Sequence, residues 1–174
     1  FMRDLRTRAP TVSTAAVPIA LAGIPLVELV AGLWFGDESL LALSIRDIVV
    51  KWAFAVAIVT VVVHVEQRSL LSIGVTLPGW GDIGAAGLVF VLGAVSYPFT
   101  TPLLSSLGFE TTVGGIEQLA TYPILFVLSL ALTAAVTEEL LYRGFPIERI
   151  AERTGSAVFG AGVSVFFFII FHIP

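Results

Sequence analysis

Tyr122-Pro-Ile-Leu-Phe-Val-Leu-Ser-Leu-Ala-Leu-Thr-Ala-Ala-Val-Thr-Glu138-Glu139-Leu-Leu-Tyr142-Arg143 is an apolar run of membrane length that ends in two adjacent carboxylates and an arginine. About 20 apolar residues make a bilayer-spanning helix, and strands are not this long or this uniformly apolar. A charge near the bilayer centre costs about 2.5–3.5 kcal/mol on insertion scales, and less toward the interface. A membrane helix that keeps Glu138 and Glu139 side by side has a use for them. The stretch thus predicts both the fold and the place of the chemistry.

The rest of the chain agrees. Its 174 residues are 57% hydrophobic and only 13% charged, with mean hydropathy +0.99, whereas soluble domains carry about 25% charged residues. Further apolar segments lie at residues 15–35, bent by Pro18 and Pro25 and carrying Glu28; at 48–65, with Lys51 and Trp52 near the start and His64 near the end; and at 83–104, with Pro98 and Pro102. Another starts at Ala157 and runs to the last residues. No alternating barrel pattern is present. The predicted fold is all-α, a polytopic transmembrane bundle of about five spans forming one domain over residues 1–174. The opening on Phe1 and the stop at Pro174 read as a fragment whose carboxy-terminal part is missing. The length, prolines and glutamate of the first segment argue against a cleaved signal peptide.

Charge placement predicts orientation. Arg3, Arg6, Arg8, Arg68, Arg143, Arg149 and Arg153 fall on one side of a five-pass topology, and Arg46 and Lys51 on the other. The positive-inside rule then places the amino terminus in the cytoplasm, in an inner or plasma membrane. The outer loops hold the acidic Asp37, Glu38, Glu110 and Glu117. Residues 68–82 are too short to span, and Leu70, Leu71, Ile73, Val75 and Trp80 are expected in the headgroup zone. The lipid bilayer is one partner. Nucleic acid is not, since there is no basic stripe. With no cysteine, disulfides, thiolate zinc sites and a cysteine nucleophile are all excluded.

On a helix Glu139 and Arg143 are i,i+4 neighbours and can pair. Glu138 projects about 100° away from Glu139. The expected division is Glu139 neutralised by Arg143, and Glu138 free to face a cavity as a general base or acid. The bland alternative is an interfacial charge cluster snorkelling to water. His172 ends Phe166-Phe-Phe-Ile-Ile-Phe-His172. Gly155 lies 17 residues from both Glu138 and His172. If Thr154-Gly155-Ser156 is the turn of a helical hairpin, equal rises of about 1.5 Å per residue return the acid and the imidazole to similar depth. Pro146 is expected to kink or break the fourth helix just past Arg143. Phe168, one turn before His172, is expected to pack on the imidazole. His64 reads as an interfacial residue.

Glu138-Glu139-x-x-x-Arg143 followed by Phe168-x-x-x-His172 resembles the first two motifs of the CAAX protease and bacteriocin-processing family (also called CPBP or Abi). These are intramembrane proteases related to the type II CAAX prenyl endopeptidase. Arg143-Gly144-Phe145 also looks like the family, and Ile73-Gly74-Val75 with Pro78 does so more weakly. The resemblance implies an intramembrane endopeptidase acting on a peptide or lipidated-protein substrate near its membrane-anchored end. Glu138 would be the base that activates water, His172 its assistant, and Glu139 and Arg143 would hold the site together. The family's third motif, His-x-x-x-Asp or Asn on a later helix, does not occur in these 174 residues.

A cofactor is left open: one histidine and one or two carboxylates scarcely reach the three-ligand count of catalytic zinc. A metal-free hydrolase is the simpler expectation, with zinc as the alternative and a metalloprotease as its consequence. His64 and His172, 108 residues apart, exclude a zincin. Ser156 and Ser164 lack the setting of a rhomboid nucleophile. Gly79-Trp80-Gly81-Asp82 has no second intramembrane aspartate to complete a presenilin-type pair. Two rivals of another class stay open, a non-catalytic membrane scaffold or immunity protein, and a transporter using Glu28, Glu138 and Glu139. Glu28 facing the same cavity as Glu138 would favour the transporter.

Overall fold

The computed structural model of the chain describes residues 2–35, 39–108 and 118–172; the side chains of residues 2–13 and 35 are outside that description. Asp37, Glu38, Glu110 and Glu117, assigned above to outer loops, fall outside it as well. Every regular element among the described residues is helical. In lipid no water can satisfy a free N–H or C=O, so an apolar chain closes its hydrogen bonds within each helix.

The elements in order are α1 (Met2–Phe35), α2 (Leu40–Thr60) running into a π turn (Val61–Val65), a 3₁₀ turn (Leu70–Ile73) and α3 (Trp80–Ser106). Then come α4 (Ile124–Glu138), a second π turn (Glu139–Gly144), α5 (Phe145–Thr154) and α6 (Ala157–His172). Thr14–Trp34, Leu40–Val65, Trp80–Ser106 and Ile124–Thr154 are long and apolar enough to cross a membrane, and Ala157–His172 is a shorter apolar helix. The all-α membrane bundle is therefore the fold.

The chain divides into two compact units, Phe1–Val75 with Ser129–Pro174, and Thr76–Leu128. The second holds α3, whose first turn is capped by Asp82: its Oδ2 accepts from the Gly79 N–H at 2.8 Å. Gly79-Trp80-Gly81-Asp82 is thus the start of a helix. The first unit holds α1, α2, most of α4, α5 and α6, and all the residues that matter below. Its core is built on small side chains that let helices approach: Ala16 and Ala20 of α1 and Ala55 of α2 are buried with Ile58, Val62, Leu141 and Phe145.

Three expectations change. First, α2 begins at Leu40, so Lys51 sits about three turns inside it and is buried. Lys51 and Arg46 are both helix residues held in ion pairs. Second, Ile73 is 2% exposed and belongs to the core, while Leu71, Val75 and Trp80 are exposed. Third, Pro146 does not break the helix; the chain stays helical from Ile124 to Thr154 through the π turn. A proline at 146 cannot donate to the carbonyl four residues back, that of Tyr142. Ser164 Oγ of α6 donates to that carbonyl instead.

Two glycines have structural work. Gly155 takes φ +72° and ends α5 with its N–H on Ala151 O, which makes the hairpin turn into α6. At Gly144 an added Cβ would lie 2.5 Å from the backbone carbonyl oxygen of Ile73. Gly144→Ala is expected to destabilise the fold by about 1–3 kcal/mol, as overpacking does, measured as a lowered unfolding midpoint in detergent micelles.

Candidate active site

Glu138 closes α4 and Glu139 opens the π turn, so the two carboxylates leave the helix at different angles. Glu139 accepts from Arg143 Nη1 across one turn, and both side chains are exposed. This is the local pair that i,i+4 spacing predicts. Glu138 turns inward. It is not free as expected: Lys51 Nζ donates to its Oε1 at 2.9 Å. The same ammonium lies 3.2 Å from Asp47 Oδ2, one turn earlier on α2. The Lys51 side chain is only 8% exposed. One buried cation thus serves two carboxylates, one from its own helix and one from α4.

The neighbouring contact fixes the two helices. Trp52 Nε1 donates to Thr133 Oγ1 at 3.1 Å, and Thr137 Oγ1 donates back to Thr133 O at 2.7 Å. Thr133 and Thr137 are buried on the face of α4 that carries this contact.

The other half of the site comes from α6 across the Gly155 hairpin. His172 Nδ1 is 2.8 Å from the carbonyl oxygen of Phe168. A carbonyl only accepts, so Nδ1 carries the proton of this bond, and in the neutral ring the lone pair is on Nε2. The Phe168 ring stacks on the imidazole at 4.2 Å between centroids. Phe168 also lies 5.7 Å under the Arg143 guanidinium and 5.5 Å edge-on to Tyr142. Arg143, Phe168 and His172 therefore form one stacked column.

Glu138 and His172 do not hydrogen-bond each other; they are joined through Lys51 and Phe171. Lys51 Nζ is 5.9 Å from the centre of the Phe171 ring, and that ring is 5.1 Å from the imidazole. Tyr142 fills the space beside them. It is 1% exposed and stacks on Phe171 at 5.9 Å, and its hydroxyl has no hydrogen-bond partner among the described residues. Glu28 does not join the Glu138 cluster directly: Arg46 Nη2 donates to its Oε2 at 2.7 Å.

Behind the site lies a second buried ion pair. Arg149 of α5 grips Glu66 with Nε donating to both carboxylate oxygens at 3.0 Å and Nη2 to Oε2 at 2.6 Å. Its remaining donors reach Ser72 Oγ at 3.1 Å and, in longer contacts, Ser72 O and Glu152 Oε1 at 3.3 Å. The guanidinium sits 5.4 Å from the Phe145 ring. Counted from sequence only among the charges of one side, Arg149 is 2% exposed. His64 is exposed, and its carbonyl accepts from Gln67 Nε2.

Asp47, Lys51 and Tyr142 are the site's neighbours that sequence reasoning missed. The signal for the first two was an Asp-x-x-x-Lys pair inside an apolar helix. Among the described residues no three His, Asp or Glu side chains converge as metal ligands do. This set does not fit a catalytic zinc with three protein ligands, and no step below passes through a metal.

A family model, the type II CAAX prenyl endopeptidase Rce1-like family, matches residues 120–174. The match contains Glu138, Glu139, Arg143, Phe168 and His172, and it bears out the resemblance read from those motifs. A search of curated proteins and of solved structures finds no match. Over residues 120–174 the chain is similar to that endopeptidase family, and its helices include four long and apolar enough to cross a membrane.

Proposed function

We propose that the chain is an intramembrane endopeptidase that cleaves a peptide, or a lipidated protein, near its membrane-anchored end. Glu138 takes a proton from a water molecule while the water oxygen bonds to the scissile carbonyl carbon. The tetrahedral intermediate then expels the amine, and Glu138 returns the proton to the leaving nitrogen. His172 orients the water by accepting a hydrogen bond at Nε2, the nitrogen with the lone pair in the neutral ring when Nδ1 donates to Phe168 O. Glu139 and Arg143 hold the π turn, and the Arg143–Phe168–His172 column sets the imidazole. The amino terminus faces the cytoplasm in this reading, so the acid lies toward the cytoplasmic half of α4.

The observation that carries the proposal is Glu138 itself: an inward carboxylate within a membrane helix, inside the stretch the endopeptidase family model matches. Phe168 and Phe171, half-buried against the buried Tyr142 ring, offer aromatic surface to an apolar substrate segment.

The test uses the intact gene product in proteoliposomes with peptides carrying a prenylated carboxy-terminal cysteine, and the same peptides unprenylated. Release of the carboxy-terminal fragment is expected, and a strong chelator is expected to leave its rate unchanged. No cleavage of any membrane-anchored peptide would remove the protease reading. Loss of activity on chelation, with rescue by zinc, would replace the Glu-plus-His mechanism by a metal-dependent one.

A further inference from the structure

We propose that Asp47, Lys51 and Glu138 form one charge-sharing unit in which Lys51 keeps Glu138 ionised within the bundle and Asp47 restrains Lys51 so that Glu138 remains a base. The inference rests on Glu138 acting as proposed above. It assigns two positioning residues on α2, outside the stretch that the family model matches.

The geometry has three parts. Lys51 Nζ is 2.9 Å from Glu138 Oε1 and 3.2 Å from Asp47 Oδ2. The ammonium is nearly sealed from solvent, while the Asp47 side chain is 33% exposed and the Glu138 side chain 19%. Buried carboxylates without a cation take up protons and stop acting as bases. A cation given wholly to Glu138 would make it too weak a base to take a proton from water. Sharing the cation between two acids leaves the unit one negative charge, which the incoming proton neutralises.

The other charged and titratable groups around Glu138 do not replace Lys51. On α1, Glu28 is within electrostatic reach of Asp47 but is paired with Arg46 of α2. On the π turn, Glu139 is paired with Arg143, and Tyr142 brings a neutral phenol. On α6, His172 approaches through the Phe171 ring. Lys51 is the cation in contact with Glu138.

Two substitutions should act with opposite sign. Lys51→Met removes the cation, so the acid limb of the pH–rate profile should move up by about 1–3 pH units, the span an adjacent charge commands. Asp47→Asn releases Lys51 to Glu138 alone, so the same limb should move down and the plateau rate should fall. Lys51→Arg should restore a profile close to that of the unaltered protein. A merely structural α2–α4 contact would lower the rate in both variants without moving the limb. A limb that stays put, or moves the same way in both, overturns the proposal.

Infrared difference spectra make the test independent of turnover. At neutral pH, Lys51→Met should show a protonated carboxylic C=O stretch that disappears when Glu138→Gln is added, and the unaltered protein should show none. If no peptide is cleaved but this band appears, the charge sharing stands and the protease reading fails. If peptides are cleaved and no band appears in a folded Lys51→Met protein, the charge sharing fails alone. Should Lys51→Met not fold, Asp47→Asn decides by the direction of its limb.

Discussion

Glu138→Gln is expected to reduce peptide cleavage by about 10²–10⁴-fold, the range a positioned general base contributes, with insertion and folding intact. Glutamine has nearly the shape of glutamate and keeps a carbonyl oxygen for the Lys51 ammonium. Lys51 also retains Asp47 at 3.2 Å, so the substitution orphans no buried cation. The loss should therefore appear in turnover while the unfolding midpoint in detergent barely changes. Glu139→Gln is the natural comparison. Its partner Arg143 is exposed, and the effect should be much smaller on the chemical step. Retained turnover in Glu138→Gln would end its assignment as the base.

The second large effect falls on stability. Arg149→Met should destabilise the folded protein by about 3–5 kcal/mol, because it strands the Glu66 carboxylate in a site that is 3% exposed. Glu66→Met should do the same by stranding the guanidinium. The double substitution Arg149→Met with Glu66→Met should recover much of the loss, since neither charge is then left buried without its partner. Unfolding titrations of the four proteins give the coupling directly. Additive single effects would show that the pair contributes little beyond packing. The knot matters to the site because Arg149 ties the end of α2, the 3₁₀ turn at Ser72 and α5 into one piece.

What could be read in the chain beforehand was local. Glu139 with Arg143, Phe168 on His172 and the turn at Gly155 all depend on residues two to four apart, and helix geometry dictates them. Apolar length marked the membrane helices for a similar reason: without water the backbone must close its own hydrogen bonds, and a helix does so locally. Lys51 with Glu138 and Arg149 with Glu66 lie 87 and 83 residues apart, and helix packing, not spacing, brings them together. A tally of positive charges by side says nothing of the partners they find, so it could not show that the two cations on α2 are held in ion pairs. The π turn was hidden because it depends on what stands opposite. Pro146 alone predicts a kink or a break, and the Ser164 hydroxyl on the next helix occupies the carbonyl that the proline cannot reach.

The two long-range ion pairs carry opposite polarity. In the first, α2 supplies the cation and α4 the anion; in the second, the chain end of α2 supplies the anion and α5 the cation. Lying the α4–α5 arm head-to-tail against α2 would set Lys51 against Arg149 and Glu66 against Glu138, two repulsive encounters in place of two attractive ones. The arrangement is therefore a directional key, comparable to the charged flanks that choose partners in coiled coils. An arm docked the other way round would meet like charges at both places, which disfavours that arrangement.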